Sequence, residues 1–342
     1  MKKIFAFFLT LFLVSCGENK PTGIIIENNN LSPKVIDANI KEVMAIDKMC
    51  VSDSLLVLIN RQYSPSFYVF HRDDYSFVGA FGVEGNGPDD FLFPFFLNTD
   101  IRKDGILQVY DVNNALFKDV NLQKALVHES GAVRTSPIPP LLIGSPNLIQ
   151  QNDSIFLGNM DNGKGLFFFY NKKSNVINWV DFPDGLLPPV DGDFTVMNMN
   201  RIACHSGKGR VVSTLSYYNR LLLYDLNGVL LKDVQIGNET IKPSLENKFM
   251  ITPESRLCST DIQCSDNYCY VLAQDMAVEC YESPGEARSR IIVLDWDLNY
   301  VMTYLLPHYA RTFVLDELNG RIIYTAFTSD GNTEVYYIES KL

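Results

Sequence analysis

From about residue 54 to the end, the chain is built of short apolar runs separated by polar turns. The runs are three to six residues long and rich in Val, Ile, Leu, Phe and Tyr. That length and composition predict strands. They come in groups: 54–59, 67–70 and 77–81; then 105–110 and 116–120; then 154–157, 166–170 and 176–180. The next groups are 210–213, 221–225 and 229–231; 268–272, 291–296 and 300–304; and 321–325 with 335–338. Asp-Gly, Asn-Gly, Gly and Pro fill the linkers, which is hairpin and loop chemistry. Outside the first sixteen residues, no stretch of 12 or more carries apolar residues at i, i+3, i+4 and i+7.

Six recurrences of roughly 40 to 60 residues, each with three or four short strands, predict an all-β, six-bladed β-propeller. A four-stranded antiparallel blade cannot bury both of its faces alone. A ring of blades covers every face and leaves only short edges. The last group stops one strand short at Leu342, so a strand within 34–45 is expected to complete that blade and close the ring. A pair of β-sandwiches is the competing architecture.

The N-terminus follows a different rule. Lys2 and Lys3 precede an apolar run from Ile4 to Val14, then Ser15-Cys16. A basic start, an apolar core and a small residue before the cut make a secretory signal over residues 1–15. The run is too short to span a bilayer, which takes about 20 apolar residues. Leu13-Val14-Ser15-Cys16 resembles a bacterial lipobox. The resemblance implies that Cys16 is acylated, palmitate among its chains, and anchors the protein to a membrane. Gly17 rather than Asp follows Cys16, which implies outer-membrane placement, facing the periplasm or the surface. Residues 16–33 are then expected as a polar tether and 34–342 as the propeller, with Ile24-Ile25-Ile26 as a candidate edge strand.

One segment is more patterned than the rest. It runs Phe81-Gly82-Val83-Glu84-Gly85-Asn86-Gly87-Pro88-Asp89-Asp90-Phe91-Leu92-Phe93-Pro94, followed by the strand ending Tyr110-Asp111-Val112-Asn113-Asn114. It resembles an NHL-type blade junction and, more narrowly, the six-bladed TolB-like propeller lipoproteins of Gram-negative envelopes. The resemblance implies that the glycines turn the chain tightly between blades and that Phe91 plugs the gap beside the next blade. Asp111 and Asn113-Asn114 would cap a turn. The chain departs from NHL at Ala115, where that repeat carries Arg.

Charge narrows the partners. The net charge of −11 becomes about −13 when Lys2 and Lys3 leave with the signal. That excludes nucleic acid, which needs clustered Lys and Arg, and leaves the anchoring to the lipid on Cys16. Beyond Cys16 there are Cys50 and Cys204, and a cluster of Cys258, Cys264, Cys269 and Cys280. No C-x₂-C spacing marks a metal site. The cluster reads either as one or two disulfides or as buried strand thiols.

Catalytic signatures are sparse. His71, His128, His205 and His308 fall at non-equivalent positions of the groups and do not form a ring of ligands. Neither G-x-S-x-G nor H-E-x-x-H occurs. Asp73-Asp74 and Asp89-Asp90 sit in expected turns, as do 161–165 and 191–193, whose Asp-Gly composition tolerates calcium. The expectation is therefore a non-catalytic, cofactor-free recognition module of the cell envelope for a glycan, peptide or protein. Tyr63, Tyr217-Tyr218 and Tyr281 are candidate loop aromatics for contact. Fold analogy supplies two alternatives: a calcium-dependent lactonase or esterase, and a TolB-like envelope scaffold.

Overall fold

The computed structural model describes residues 22–24, 29–30, 34–36, 46–61, 64–98, 101–160, 163–187, 196–246, 250–281, 287–327 and 333–342. They form a six-bladed β-propeller. Blade 1 holds Lys48–Val51, Leu55–Ile59, Phe67–His71 and Phe77–Phe81. Blade 2 holds Pro94–Phe96, Ile106–Asp111, Leu116–Asn121 and Val133–Pro137, with one short helix, Leu122–Leu126, before its last strand. Blade 3 holds Asn147–Gln150, Ile155–Asn159, Phe167–Asn171 and Val176–Val180. Blade 4 holds Asn200–His205, Arg210–Leu215, Arg220–Asp225 and Leu230–Ile236. Blade 5 holds Arg256–Cys264, Tyr268–Ala277, Arg290–Asp295 and Tyr300–Leu305. Blade 6 takes Ala310–Asp316, Arg321–Phe327 and Thr333–Glu339 from the C-terminus and Lys34–Val35 from the N-terminus.

That last strand closes the ring where the sequence placed it. Val35 lies opposite Tyr336 and Lys34 opposite Tyr337, antiparallel. The segment expected as a tether contributes backbone as well. Thr22–Ile24 pairs parallel to Val234–Ile236 on the outer edge of blade 4. Asn29–Asn30 does the same on blade 5. Residues 1–21, with the expected signal and Cys16, lie outside the described residues.

The core lies between blades, because successive side chains of a strand point to opposite faces. Leu56 and Leu58 pack toward Val314 and Ile323 of blade 6, while Val57 and Ile59 pack toward Val109 and Val120 of blade 2. Burial on both faces makes the middle strands continuous apolar runs, which is why they were readable.

The patterned junction works as the resemblance implied, and adds more. Phe91 is buried edge-on against Phe67, ring centroids 4.9 Å apart. Gly82 has φ +89°, and a Cβ there would stand 2.7 Å from the Phe67 ring. Asp111 exceeds a turn cap. Its two oxygens accept the backbone N–H of Leu92 and of Phe93, both at 2.9 Å, and the Asn114 amide at 2.8 Å. It also pairs with Lys118 at 3.3 Å, both side chains fully buried. A second buried pair, Arg72 with Asp316 at 2.6 Å, ties blade 1 to blade 6 across the closing seam.

Candidate functional site: the axial funnel

The first strand of each blade runs beside the propeller axis. These strands pack in succession, 48–51 against 94–96 on one side and 310–316 on the other, and 256–264 between 200–205 and 310–316. They enclose a cavity of about 920 Å³ lined by residues of all six. Its lining also includes Ser52 and Asp53, Arg102 and Lys103, and Glu317 and Leu318. These belong to turns joining first strands to second strands, so the funnel opens on that face. A volume of this order is that of a small-molecule site.

Polar side chains reach the axis because an innermost strand has one edge facing water. Lys48 of blade 1 crosses to Asp261 of blade 5 at 2.5 Å. Asp261 also accepts from Thr312 Oγ1 at 2.8 Å and from the Ile262 N–H at 3.0 Å. Removal from bulk water lowers the pKa of Lys48 below the ordinary lysine range. Asp261 opposes that shift, and the positive charges of Arg201 and Arg61 add to it. The remaining exposure of Lys48 is toward the funnel interior. Arg61 is held by Asp47 at 2.9 Å and lies 4.2 Å over the Phe95 ring. Phe95 in turn stacks on Tyr110, whose hydroxyl donates to Pro146 O at 3.0 Å and accepts from Leu148 N at 3.2 Å.

Arg201 differs from these. Its one contact among the described residues is a 3.4 Å bond from Nη1 to the Asn200 carbonyl. It lines the funnel and also a second cavity of about 110 Å³ between blades 3 and 4. Around that cavity the asparagines are committed to holding the blades together. The Asn159 amide donates to Asn200 O at 3.0 Å, and the Asn200 amide donates to Leu166 O at 2.8 Å.

The residues singled out in the sequence lie elsewhere. Tyr217 and Tyr218 are buried, not exposed, and the Tyr218 hydroxyl accepts the Leu187 N–H at 3.1 Å. Both pack under blade loops because the apolar ring has more to gain from burial than the hydroxyl loses once bonded. Tyr281 is half-buried against Tyr309 and beneath Arg311. Tyr63, Asp161 and Asn162, and residues 191–193 lie outside the described residues. Asp74 caps its turn through Ser76, whose N–H and hydroxyl bonds hold its carboxyl below the usual range.

No histidine lines the funnel. His205 pairs with Asp266 at 3.0 Å, and His308 stacks on Tyr336 with ring centroids 4.3 Å apart. Among the described residues, no group of three or more His, Cys, Asp or Glu is placed to hold a metal. Among the described residues, Cys50, Cys204, Cys258, Cys264, Cys269 and Cys280 form no disulfide. Cys264 and Cys269 are cross-strand partners, and burial pushes the Cys264 thiol up. Burial also raises Cys204 to about 11 and Cys258 to about 12.

Residues 44–318 match the model of the TolB-like 6-blade propeller-like family. The chain belongs to that family. Two solved structures share the fold of this TolB-like propeller. One is a member of the DUF4221 family from Bacteroides vulgatus, 13% identical, covering 86% of this chain and 94% of its own at a TM-score of 0.59. The other is a candidate exported protein of Bacteroides fragilis, 12% identical, covering 91% and 95% at a TM-score of 0.57. A search of curated proteins finds no match. At these identities the likeness extends to architecture and not to side chains of the funnel. Lys48, Arg201 and Asp261 were missed in the sequence, since none lies in an apolar run. The readable signal would have been a lone charge in the short polar stretch preceding each group's first apolar run.

Proposed function

We propose that this propeller is a non-catalytic recognition module of the bacterial envelope, anchored through lipidated Cys16, with the axial funnel as its ligand site. The observation that carries the reading is the funnel itself, about 920 Å³ deep in a rigid ring and lined with polar side chains. A rigid wall of innermost strands holds those groups in place before a ligand arrives, which lowers the ordering cost of binding. The ligand class is a glycan, a peptide or a protruding part of a protein partner. The exported description of the Bacteroides fragilis structure agrees with an envelope location.

The anchor has a geometric consequence. Thr22–Ile24 runs parallel to the last strand of blade 4, which starts at the funnel face. Thr22 lies opposite Val234 on the outer edge of blade 4, and Cys16 can reach at most about 20 Å from it. Exposed Phe77, Val176, Val229, Leu230 and Val301 lie at or beside the starts of last strands on the same face. A lipidated Cys16 would thus hold the edge of blade 4 close to the membrane.

The test is a thermal-shift screen of neutral sugars, sugar acids and short peptides, run on the protein and on Gln150→Trp. Gln150 lines the funnel, and an indole there would intrude on the space a ligand needs. A ligand that raises the melting temperature of the protein but not of the variant supports the reading. Ligands that stabilise both equally would place binding elsewhere and overturn it. For the anchor, Cys16→Ser is expected to release a soluble product, and membrane retention of that variant would refute lipidation.

A further inference from the structure

We propose that the funnel binds a hydroxylated organic carboxylate of the sugar-acid class, its carboxylate held by Arg201 beside Lys48. The inference rests on the recognition reading and names the ligand chemistry of the same site.

Charge balance at the axis carries the argument. Three cations stand close together, Lys48 and Arg201 in the funnel lining and Arg61 outside it, and the fields of both arginines reach Lys48. Two have carboxylates. Lys48 is taken by Asp261, whose second oxygen is taken by Thr312. Arg61 is taken by Asp47 and covered by Phe95. Among the described residues, Arg201 has only the distant carbonyl of its own neighbour, Asn200. A guanidinium offers five N–H donors in a planar fork. In a half-enclosed cavity, a fork with one weak acceptor is a receptor for a planar anion. One positive charge stands uncompensated at this depth, although the whole protein carries −11.

The size of that excess selects the anion. A carboxylate carries one charge and matches it. A phosphate monoester carries about −1.5 to −2 at neutral pH and would leave buried negative charge unpaired. The excess belongs to the depth of the funnel and not to its mouth, where Asp53 and Glu317 stand with Arg102 and Lys103. Hydroxyl recognition comes from the neighbouring amides. Gln150 receives a bond from Gln108 at its oxygen and leaves its nitrogen open to the funnel. Asn147 donates to Asn159 and leaves its oxygen open. Gln263, by contrast, is consumed by the backbone of Phe313 and Leu315. A donor and an acceptor beside an anion receptor suit vicinal hydroxyls on a short acid.

The experiment is isothermal titration of the Cys16→Ser chain with D-glucuronate, D-galacturonate and D-gluconate. D-glucose, D-galactose and glucose 6-phosphate serve as comparisons. At least one acid is expected to bind at least tenfold tighter than its neutral parent, more weakly as salt rises. Arg201→Gln is expected to weaken that acid at least tenfold with its melting temperature unchanged, whereas Lys124→Gln, on the blade 2 helix outside the funnel, leaves it as it was. Should Arg201→Gln fold poorly, Arg201→Lys keeps the charge, loses the fork, and is expected to bind with intermediate affinity. Equal binding of acid and neutral sugar would overturn the inference and leave the recognition reading standing. Binding of glucose 6-phosphate alone would overturn the carboxylate assignment. Absence of binding by all three acids at 10 mM (on the order of the weakest useful affinities) would overturn it outright.

Discussion

The buried Asp111–Lys118 pair allows a prediction with an asymmetry built into it. Both side chains are fully enclosed and 3.3 Å apart. Removing one partner of a buried pair costs about 3–5 kcal/mol, because the other charge is stranded. The two partners are not equally dependent. Without Lys118, Asp111 still accepts from Leu92 N, Phe93 N and the Asn114 amide, at 2.9, 2.9 and 2.8 Å. Without Asp111, Lys118 keeps only the Asp90 carbonyl and the Phe91 ring, 4.5 Å from its nitrogen. Asp111→Ala should therefore cost about 3–5 kcal/mol, and it also orphans two backbone N–H groups. Lys118→Met keeps much of the alkyl packing and should cost about 1–2 kcal/mol, since hydrogen bonds continue to support the carboxylate. Against a total stability of about 5–15 kcal/mol, the first change is severe and the second tolerable. Urea unfolding followed by fluorescence of Trp179 and Trp296 reads both. Lys118→Met costing as much as Asp111→Ala, or Asp111→Ala costing under about 1 kcal/mol, would refute the reasoning.

Three further outcomes are expected. Deleting residues 1–35 removes Lys34–Val35 from blade 6 and exposes the edge of Thr333–Glu339, so the product should aggregate or melt well below the full chain; an unchanged melting temperature would sink the closure argument. Burial raises Tyr75, Tyr270 and Cys258 to about 12 each. Their neutral forms thus favour the fold, and that contribution is complete below about pH 9 and is lost as pH rises toward 12, while Lys48, shifted down, acts in the opposite sense. Native tyrosine absorbance at pH 11 should fall short of the value in urea, and equal values would contradict it. The pKa of His308 is lowered by burial, so its contribution is present above about pH 6.5 and is lost as pH falls through the folded value; an NMR titration midpoint at or above 6.5 would contradict this.

The middle strands were legible because both of their faces are buried, and the half-exposed outer strands from their β-branched and aromatic composition. The runs read at 67–70, 176–180 and 300–304 appear as Phe67–His71, Val176–Val180 and Tyr300–Leu305. Closure was legible from a group one strand short at the C-terminus. Phe91 was legible from its place among spaced glycines. The Asp111–Lys118 pair was not, because Lys118 lies in an ordinary strand alternation and only the fold brings it under Asp90. The loop tyrosines misled because a ring between Ser216 and Asn219 looks exposed in sequence, whereas Tyr218 is buried with its hydroxyl bonded.

The innermost strands show why the site itself stayed hidden. Arg201 alternates with Ile202 and Ala203, and Asp261 with Ile262 and Gln263, so no apolar run marks these segments. One edge of each such strand faces the funnel instead of another strand, which removes the need for continuous apolar residues. The same freedom admits Lys48, Arg201 and Asp261 to the axis, where a wholly apolar strand would have left nothing to recognise a ligand. The inner strands are buried at most positions, and the polar groups sit where a side chain turns to the funnel. Arg201 is only half-buried, so folding does not dictate that residue, and a charge whose one contact among the described residues is a neighbouring carbonyl points to a ligand.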